Sequence, residues 1–216
     1  CPEPAQADEQ RITVEGPGET TYIQASYHAP QATHPDFFPF LVLDSLLSGP
    51  SSLNMFGGGI SNKTSRLYRA LVEGELAVNV NGGIGATIDP FLYTLHLTLR
   101  PDRTPAAALQ ALEHEIDRLQ QAPPQPEELH RALKQARALF AYGSESITNQ
   151  AFWLGFSEMI DTFDWFTHYL ASIEQVTPAD VQRVAQKYLP VQQRVLGIYQ
   201  PHGEQAIPTL EGDDEA

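Results

Sequence analysis

The sequence predicts an α+β domain in which a mainly antiparallel sheet packs against several helices. Strand-like alternation appears near both ends of the 216-residue chain, and helical periodicity fills most of the region between them. The two patterns do not alternate regularly, as they would in a parallel βαβ protein. Hydrophobic residues make up 42% of the chain, which is enough for a packed core.

The chain opens with two predicted strands and a helix. The strands cover residues 11–15 and 20–29, where apolar and polar residues alternate. A helix follows from Asp36, which can cap it, and the apolar residues of this helix form a broad face. The sequence Ser48-Gly49-Pro50 ends the helix.

Residues 51–80 are the most informative stretch. They begin as a loop with three consecutive glycines, Gly57, Gly58 and Gly59, which allow another backbone to come close. A helix follows from residue 63, and we predict that Gly74 ends it, as glycine often does.

A glycine-rich loop that leads into a helix also suggests phosphate binding, but the spacing here does not fit a P-loop. Only three residues separate Gly59 from Lys63, and no apolar strand precedes the loop. The plainer interpretation is a mobile loop over a core helix.

Two more strands, a run of helices and a final strand are predicted for the rest of the chain. The strands lie at 77–83, 91–100 and 194–199, and the helices at 104–121, 126–142, 148–159, 164–173 and 177–189. Residues 1–10 are predicted to be a linker or a chain end, residues 11–203 a single domain, and residues 204–216 an acidic tail.

Together these segments resemble the C-terminal domain of the pitrilysin/insulinase family of zinc metallopeptidases, to which mitochondrial processing peptidase and the complex III core subunits belong. The matching motifs are GGG followed by SRLYRAL, the helix PDFFPFLVLDSLLSG, the segment ELHRALKQARALFAYGSES, and VTPADVQRVAQKYL before a closing strand. No single motif is specific, but their order and spacing match over most of the chain. The resemblance implies a pitrilysin-type α+β fold.

The zinc site of that family, an HxxEH motif on a helix, is missing from this sequence. In the family two histidines and a distant glutamate bind zinc, and the internal glutamate activates water. None of the seven histidines here has another histidine four residues away. We therefore predict no catalytic residue and no metal ligand in this chain, and the resemblance implies that zinc is bound by an upstream domain or a partner subunit.

Active members often supply an arginine and a tyrosine from this domain to the substrate. The corresponding positions hold Leu71 and Val78. Neither side chain can polarise a peptide carbonyl or hydrogen-bond a transition state. This departure puts the usual catalytic assistance by the domain in doubt.

The glycine loop is the remaining candidate site. In the processing peptidase, a glycine-rich loop just before SRLY belongs to the subunit without zinc and is implicated in holding substrate. The resemblance therefore assigns Gly57, Gly58, Gly59, Ser65 and Arg66 as candidate substrate-binding residues. For Arg66, a surface salt bridge is an equally good explanation.

Charge and composition exclude some classes of function. A net charge of −14 argues against nucleic-acid binding, which needs clustered lysine and arginine. The single cysteine, Cys1, rules out an internal disulfide. No apolar run is long enough for a membrane-spanning helix. We expect a soluble protein, cytoplasmic if bacterial, with a dimer as an open alternative.

The leading hypothesis is a non-catalytic, substrate-chamber domain of a pitrilysin/insulinase-type zinc metallopeptidase. Such a domain helps to hold a peptide while a zinc-bearing HxxEH half hydrolyses it, so this chain is expected to be inactive alone. The alternative is a proteolytically inactive scaffold or peptide-binding module of the same fold, which the missing arginine and tyrosine favour. An enzyme complete in this chain ranks last, because no convergent nucleophile, base and oxyanion set is visible.

Overall fold

The computed structural model describes residues 6–54 and 61–202. Over these residues the chain forms five strands and seven α-helices. The strands are β1 (Gln10–Gly16), β2 (Tyr22–Ala29), β3 (Ala77–Gly83), β4 (Phe91–Leu99) and β5 (Val195–Pro201). The helices are α1 (Phe37–Leu47), α2 (Pro105–Gln121), α3 (Pro126–Gly143), α4 (Ile147–Ile160), α5 (Phe163–Thr167), α6 (Tyr169–Glu174) and α7 (Pro178–Tyr188).

The strands form one sheet in the order β1-β5-β2-β4-β3. The last strand, β5, lies between β1 and β2, parallel to β1 and antiparallel to β2. The other neighbouring pairs are antiparallel. The predicted α+β class with a mainly antiparallel sheet is therefore confirmed.

The helices cover one face of the sheet, which we call the inner face. Strand β2 buries Ile23, Ala25 and Tyr27 on this side, as its alternation predicts, and β4 buries Tyr93 and Leu95. Helix α1 lies within the helical layer, with ten of its eleven residues buried. Apolar residues lie on all sides of this helix, as expected for a helix surrounded by protein, and Asp44 and Ser45 are its buried polar residues.

The stretch after the glycine loop differs from the predicted helix. It forms a π-helix over Tyr68–Glu73, and Gly74 has φ −74° instead of a left-handed conformation. The left-handed residue is Glu75, with φ 57°. Glycine is required at position 74 for a different reason, because a Cβ there would lie 2.2 Å from the carbonyl oxygen of Ala70. The predicted helix over 164–173 is likewise two shorter helices, α5 and α6.

Asp36 precedes α1 but does not cap it through its side chain. Its carboxylate instead accepts hydrogen bonds from Lys187 Nζ at 2.7 Å, from the Tyr188 hydroxyl at 2.9 Å and from Arg183. Burial alone would raise the pKa of Asp36, but the donors from α7 outweigh it and hold the pKa well below its usual range. Asp36 therefore occupies the predicted N-cap position of α1, but its side chain does not cap the helix and instead ties the start of α1 to α7.

In the described part of the chain, no helix combines the length and the apolar character that crossing a bilayer requires.

Candidate functional site

The predicted site residues fall in two places. Gly57, Gly58 and Gly59 lie outside the described residues. Ser65 is buried, and its Oγ accepts a hydrogen bond from the backbone N–H of Tyr68 at 3.3 Å. Ser65 therefore supports the start of the helical turn that follows the loop.

Arg66 is held by a bidentate ion pair. Its Nη2 donates to Glu128 Oε2 at 2.7 Å and its Nε donates to Oε1 at 3.2 Å. Only 11% of the Arg66 side chain is exposed. Burial would raise the pKa of Glu128, but hydrogen bonding to Arg66 outweighs it and lowers the pKa. This pair joins the downstream arm of the glycine loop to α3.

The two arms of the glycine loop meet at Gly49 and Asn62. Gly49 has φ 119°, and a Cβ on it would lie 2.4 Å from the Asn62 Cβ, so only glycine fits. The side-chain amide of Asn62 donates to the carbonyl oxygen of Val80 at 2.7 Å. The described ends of the loop are therefore fixed against each other and against β3.

A buried carboxyl group secures the upstream arm. Asp44, in α1, is fully buried and accepts hydrogen bonds from Ser48 Oγ at 2.5 Å, from the Tyr93 hydroxyl at 2.7 Å and from Ser52 Oγ. Burial raises the pKa of Asp44, and the three hydroxyl donors act in the opposite direction. Ser52 Oγ also accepts the backbone N–H of Ile84 at 3.3 Å. We call the set Asp44, Ser48, Gly49, Ser52, Asn62 and Tyr93 the loop base.

An aromatic cleft adjoins the loop base. It has a volume of about 180 Å³ and borders Asn54, the last described residue before the glycines. Its wall includes Phe37, Trp153, Trp165 and Tyr169. Trp165 is fixed by its indole N–H, which donates to the carbonyl oxygen of Ala32 at 3.1 Å. Besides these rings, its wall includes the apolar side chains of Leu41 and Ile84.

Leu71 and Val78, at the positions where the family resemblance implies an arginine and a tyrosine, differ in their burial. Leu71 is fully buried in the core, whereas Val78 is 60% exposed at an irregularity in β3 between Ala77 and Asn79. Neither side chain offers a hydrogen-bonding group to a ligand.

Sequence reasoning missed the loop base and the aromatic cleft. The sequence does contain one sign of the loop base. Asp44 interrupts the apolar run FLVLDSLL, and a carboxylate buried in such a run needs hydrogen-bond partners. The cleft joins side chains more than a hundred positions apart, such as Phe37 and Tyr169. Periodicity cannot reveal such a contact.

Within residues 6–54 and 61–202, no group of three or more His, Cys, Asp or Glu side chains is placed to hold a metal ion.

Comparison with protein families identifies the domain. The model of the peptidase M16 inactive domain matches residues 1–136. The chain belongs to this family. The resemblance stated from the sequence motifs is therefore confirmed. The glycine loop, the loop base, α1 and α2 all lie within the matched residues.

Solved structures agree with the family match. A candidate zinc protease from Bordetella pertussis Tohama I is 27% identical, with a TM-score of 0.71, over 84% of this chain and 93% of that chain. The inactive peptidase domain of a Bordetella parapertussis protein is 25% identical, with a TM-score of 0.74, over 91% of this chain and 99% of that chain. A protease from Helicobacter pylori shares the fold at 19% identity and a TM-score of 0.81.

The solved structures differ in how much of their own chain aligns with this one. The alignment with the H. pylori protease includes 92% of this chain but only 45% of that chain. The M16 inactive domain therefore spans less than half the length of that relative. A search of curated proteins gives no match.

Proposed function

We propose that this M16 inactive domain is the substrate-holding, non-catalytic half of a zinc metallopeptidase. A zinc-bearing HxxEH half, in an upstream domain or a separate subunit, hydrolyses the peptide. The family match carries the proposal, since the matching model is that of an inactive peptidase domain. The B. pertussis relative described as a candidate zinc protease supports it. This chain alone binds no zinc and has no peptidase activity.

The glycine loop is the proposed contact with the peptide. Gly57, Gly58 and Gly59 present backbone without side chains, so an extended peptide can approach closely and exchange backbone hydrogen bonds. Ser65 and Arg66 are the proposed substrate-binding residues of the downstream arm, where the buried Ser65 supports the arm from inside and the small exposed part of Arg66 faces the loop side. A loop of this kind holds a ligand best when its ends are fixed, because less conformational freedom is then lost on binding. The loop base supports the proposal in this respect.

The aromatic cleft is the proposed subsite for one peptide side chain. It adjoins the loop base at Ser52, borders Asn54, and has a wall rich in rings, among them Phe37, Trp153 and Trp165. An apolar side chain that enters it leaves water while the peptide backbone lies along the loop. The proposed substrate is accordingly an unfolded peptide with an apolar residue next to the loop-bound segment.

The test is a triple substitution, Gly57→Ala, Gly58→Ala and Gly59→Ala, in the assembled enzyme. We expect kcat/KM for an unfolded peptide to fall by about tenfold while the thermal unfolding of the chain is unchanged. The matched control is Gly85→Ala, because a Cβ at Gly85 meets no atom within 4 Å. Unchanged kcat and KM in the triple variant would exclude a substrate role for the loop.

A proteolytically inactive scaffold of the same fold is the second candidate. It is favoured by Leu71 and Val78, which replace the arginine and tyrosine of active relatives by apolar side chains. The two functions differ in whether the native assembly contains an HxxEH polypeptide besides this chain. A native assembly without any HxxEH polypeptide would establish the scaffold, and one with it would support the peptidase.

A further inference from the structure

A row of aromatic rings leads from the aromatic cleft to the surface of α4. Trp165 and Trp153 stack on each other in the wall of the cleft, with ring centroids 6.5 Å apart. The ring of Trp153 meets that of Phe156 edge to face at 5.1 Å, and Phe156 stacks on Phe152 at 5.7 Å. We call Trp165, Trp153, Phe156 and Phe152 the aromatic row. Because Trp153 belongs to both, the cleft and the aromatic row share one continuous set of rings.

The aromatic row becomes more exposed with distance from the cleft. Trp165 is 8% exposed, Trp153 and Phe156 are partly buried, and Phe152 is 59% exposed. At 100° per residue, Phe156 lies between Trp153 and Phe152 around α4. Single apolar residues are common on protein surfaces, but Phe152 is joined ring by ring to a cleft. Its exposed ring can therefore contact a ligand that already occupies the cleft.

The cleft and the aromatic row are uncharged, although the protein is acidic. The chain has a net charge of −14, yet none of the described residues that line the cleft is Asp, Glu, Lys or Arg. Glu158 is the one charged residue in α4. It lies on the side of the helix opposite Phe152 and Phe156, and its carboxylate accepts the backbone N–H of Phe163 at 2.7 Å. Both surfaces therefore favour apolar side chains of a ligand.

The spacing of the rings matches that of side chains in an extended peptide. The ring centroids of Trp153, in the cleft wall, and of the exposed Phe152 lie 5.4 Å apart. In an extended chain, side chains two positions apart point to the same side and are about 7 Å from each other. Neighbouring side chains point to opposite sides, and side chains four positions apart are about 13 Å from each other. A spacing of two positions therefore places one side chain in the cleft and the next one on Phe152.

We propose that the aromatic row forms a second subsite, so that the domain selects extended peptides with apolar side chains two positions apart. The first side chain enters the cleft against Trp153, and the second packs on Phe152 and Phe156. The inference rests on the proposed function, because it takes the cleft as the subsite for one peptide side chain. It adds a rule of substrate selection, namely the spacing of two apolar residues.

The test is the intrinsic fluorescence of the purified chain, titrated with two amidated peptides of identical composition. The peptide GSKSGLSLGSKG carries its leucines two positions apart, and the peptide GSKSGLLSGSKG carries them side by side. Trp153 and Trp165 are the two tryptophans of the chain, so the emission reports on the aromatic row. We expect the first peptide to shift the emission to shorter wavelength, because water leaves the rings, and to bind with a Kd about fivefold lower than that of the second.

Three substitutions assign the preference to the aromatic row. Phe152→Ser removes the outer ring, so this variant is expected to bind both peptides with the same Kd. Phe152→Leu keeps an apolar side chain and is expected to retain the preference. Phe91→Ser is the matched control, because Phe91 is 62% exposed but lies on β4 and outside the wall of the cleft. It is expected to bind both peptides as the wild-type chain does, and thermal unfolding checks that each variant is folded.

Equal Kd values for the two peptides in the wild-type chain would overturn the second subsite. So would a preference that persists in Phe152→Ser, or a tryptophan emission that neither peptide changes. The proposed peptidase function is tested separately, through the zinc content and hydrolysis of the native assembly. Each of the two proposals can therefore fail while the other holds.

Discussion

The two faces of the sheet come from the same strands but differ in what they contact. On the inner face, Tyr93 is fully buried and donates its hydroxyl hydrogen to Asp44. On the outer face, Ile12, Val14 and Tyr22 are about half exposed, although they are as apolar as many core residues. The inner face therefore secures the fold and the loop base, and the outer face remains open for contacts with other molecules.

The largest expected effect is that of removing the buried carboxyl group. Asp44→Ala leaves the hydroxyl groups of Ser48, Ser52 and Tyr93 without their acceptor, and we expect the free energy of unfolding to fall by about 3 kcal/mol. Urea unfolding measures this change. The outer-face control is Ser26→Ala, which removes two long hydrogen bonds of 3.3 Å, one with Thr94 and one from Gln24, and should cost less than about 1 kcal/mol. Equal losses in the two variants would remove the distinction between the faces.

Two adjacent glycines at the end of β3 allow a second comparison of a packed position with an open one. A Cβ on Gly82 would lie 2.7 Å from Ser48 Oγ and 2.8 Å from Asp44 Oδ1, whereas a Cβ on Gly83 would meet no atom within 4 Å. We expect Gly82→Ala to destabilise the protein by about 1–3 kcal/mol and Gly83→Ala to be neutral or slightly stabilising. Thermal unfolding of the two variants tests this. A similar loss at both positions would contradict the inner-face packing.

The helical side of the sheet also carries a contact that depends on pH. The folded pKa of Asp36 lies below its unfolded value of about 3.9, so its contribution to stability is present above about pH 4 and is lost as the pH falls. Asp36→Asn should lower the free energy of unfolding by about 1–2 kcal/mol at pH 7 and flatten its decline in acid. Urea unfolding at several pH values measures both effects. An unchanged slope below pH 4 would show that another group dominates.

The smallest expected effect on stability concerns the ion pair beside the glycine loop. Arg66→Ala and Glu128→Gln each break the pair, and each should cost about 1 kcal/mol in the isolated chain. In the assembled enzyme, we expect Arg66→Ala to raise KM more than Glu128→Gln does, because the proposed substrate surface includes Arg66. Equal KM values would show that Arg66 acts only by holding the downstream arm of the loop to α3.

The sequence revealed the parts of the fold that depend on local pattern. The alternation in β4 predicted its buried face, and the proline and threonine at the start of α2 and α7 predicted where these helices begin. Local pattern did not show the π-helix at Tyr68–Glu73, because a helical spacing of apolar residues does not distinguish it from an α-helix.

The candidate site was only partly predictable for the same reason. The motif SRLY pointed to Ser65 and Arg66, but the partner of Arg66 is Glu128, which lies 62 positions away. Asp44 was visible as a carboxylate in an apolar helix, but its three hydroxyl partners come from a helix end, a short 3-10 helix and a strand. Such contacts depend on tertiary packing, which periodicity does not encode.

The most direct test of the proposed function is to isolate the native assembly with an antibody to this chain and to measure its zinc content and its hydrolysis of an unfolded peptide. The same measurements are made on this chain alone. We expect the assembly to contain an HxxEH polypeptide with bound zinc and to cleave the peptide, and the isolated chain to do neither. Hydrolysis by the isolated chain, or an assembly without zinc and without hydrolysis, would contradict the role of a substrate-holding half.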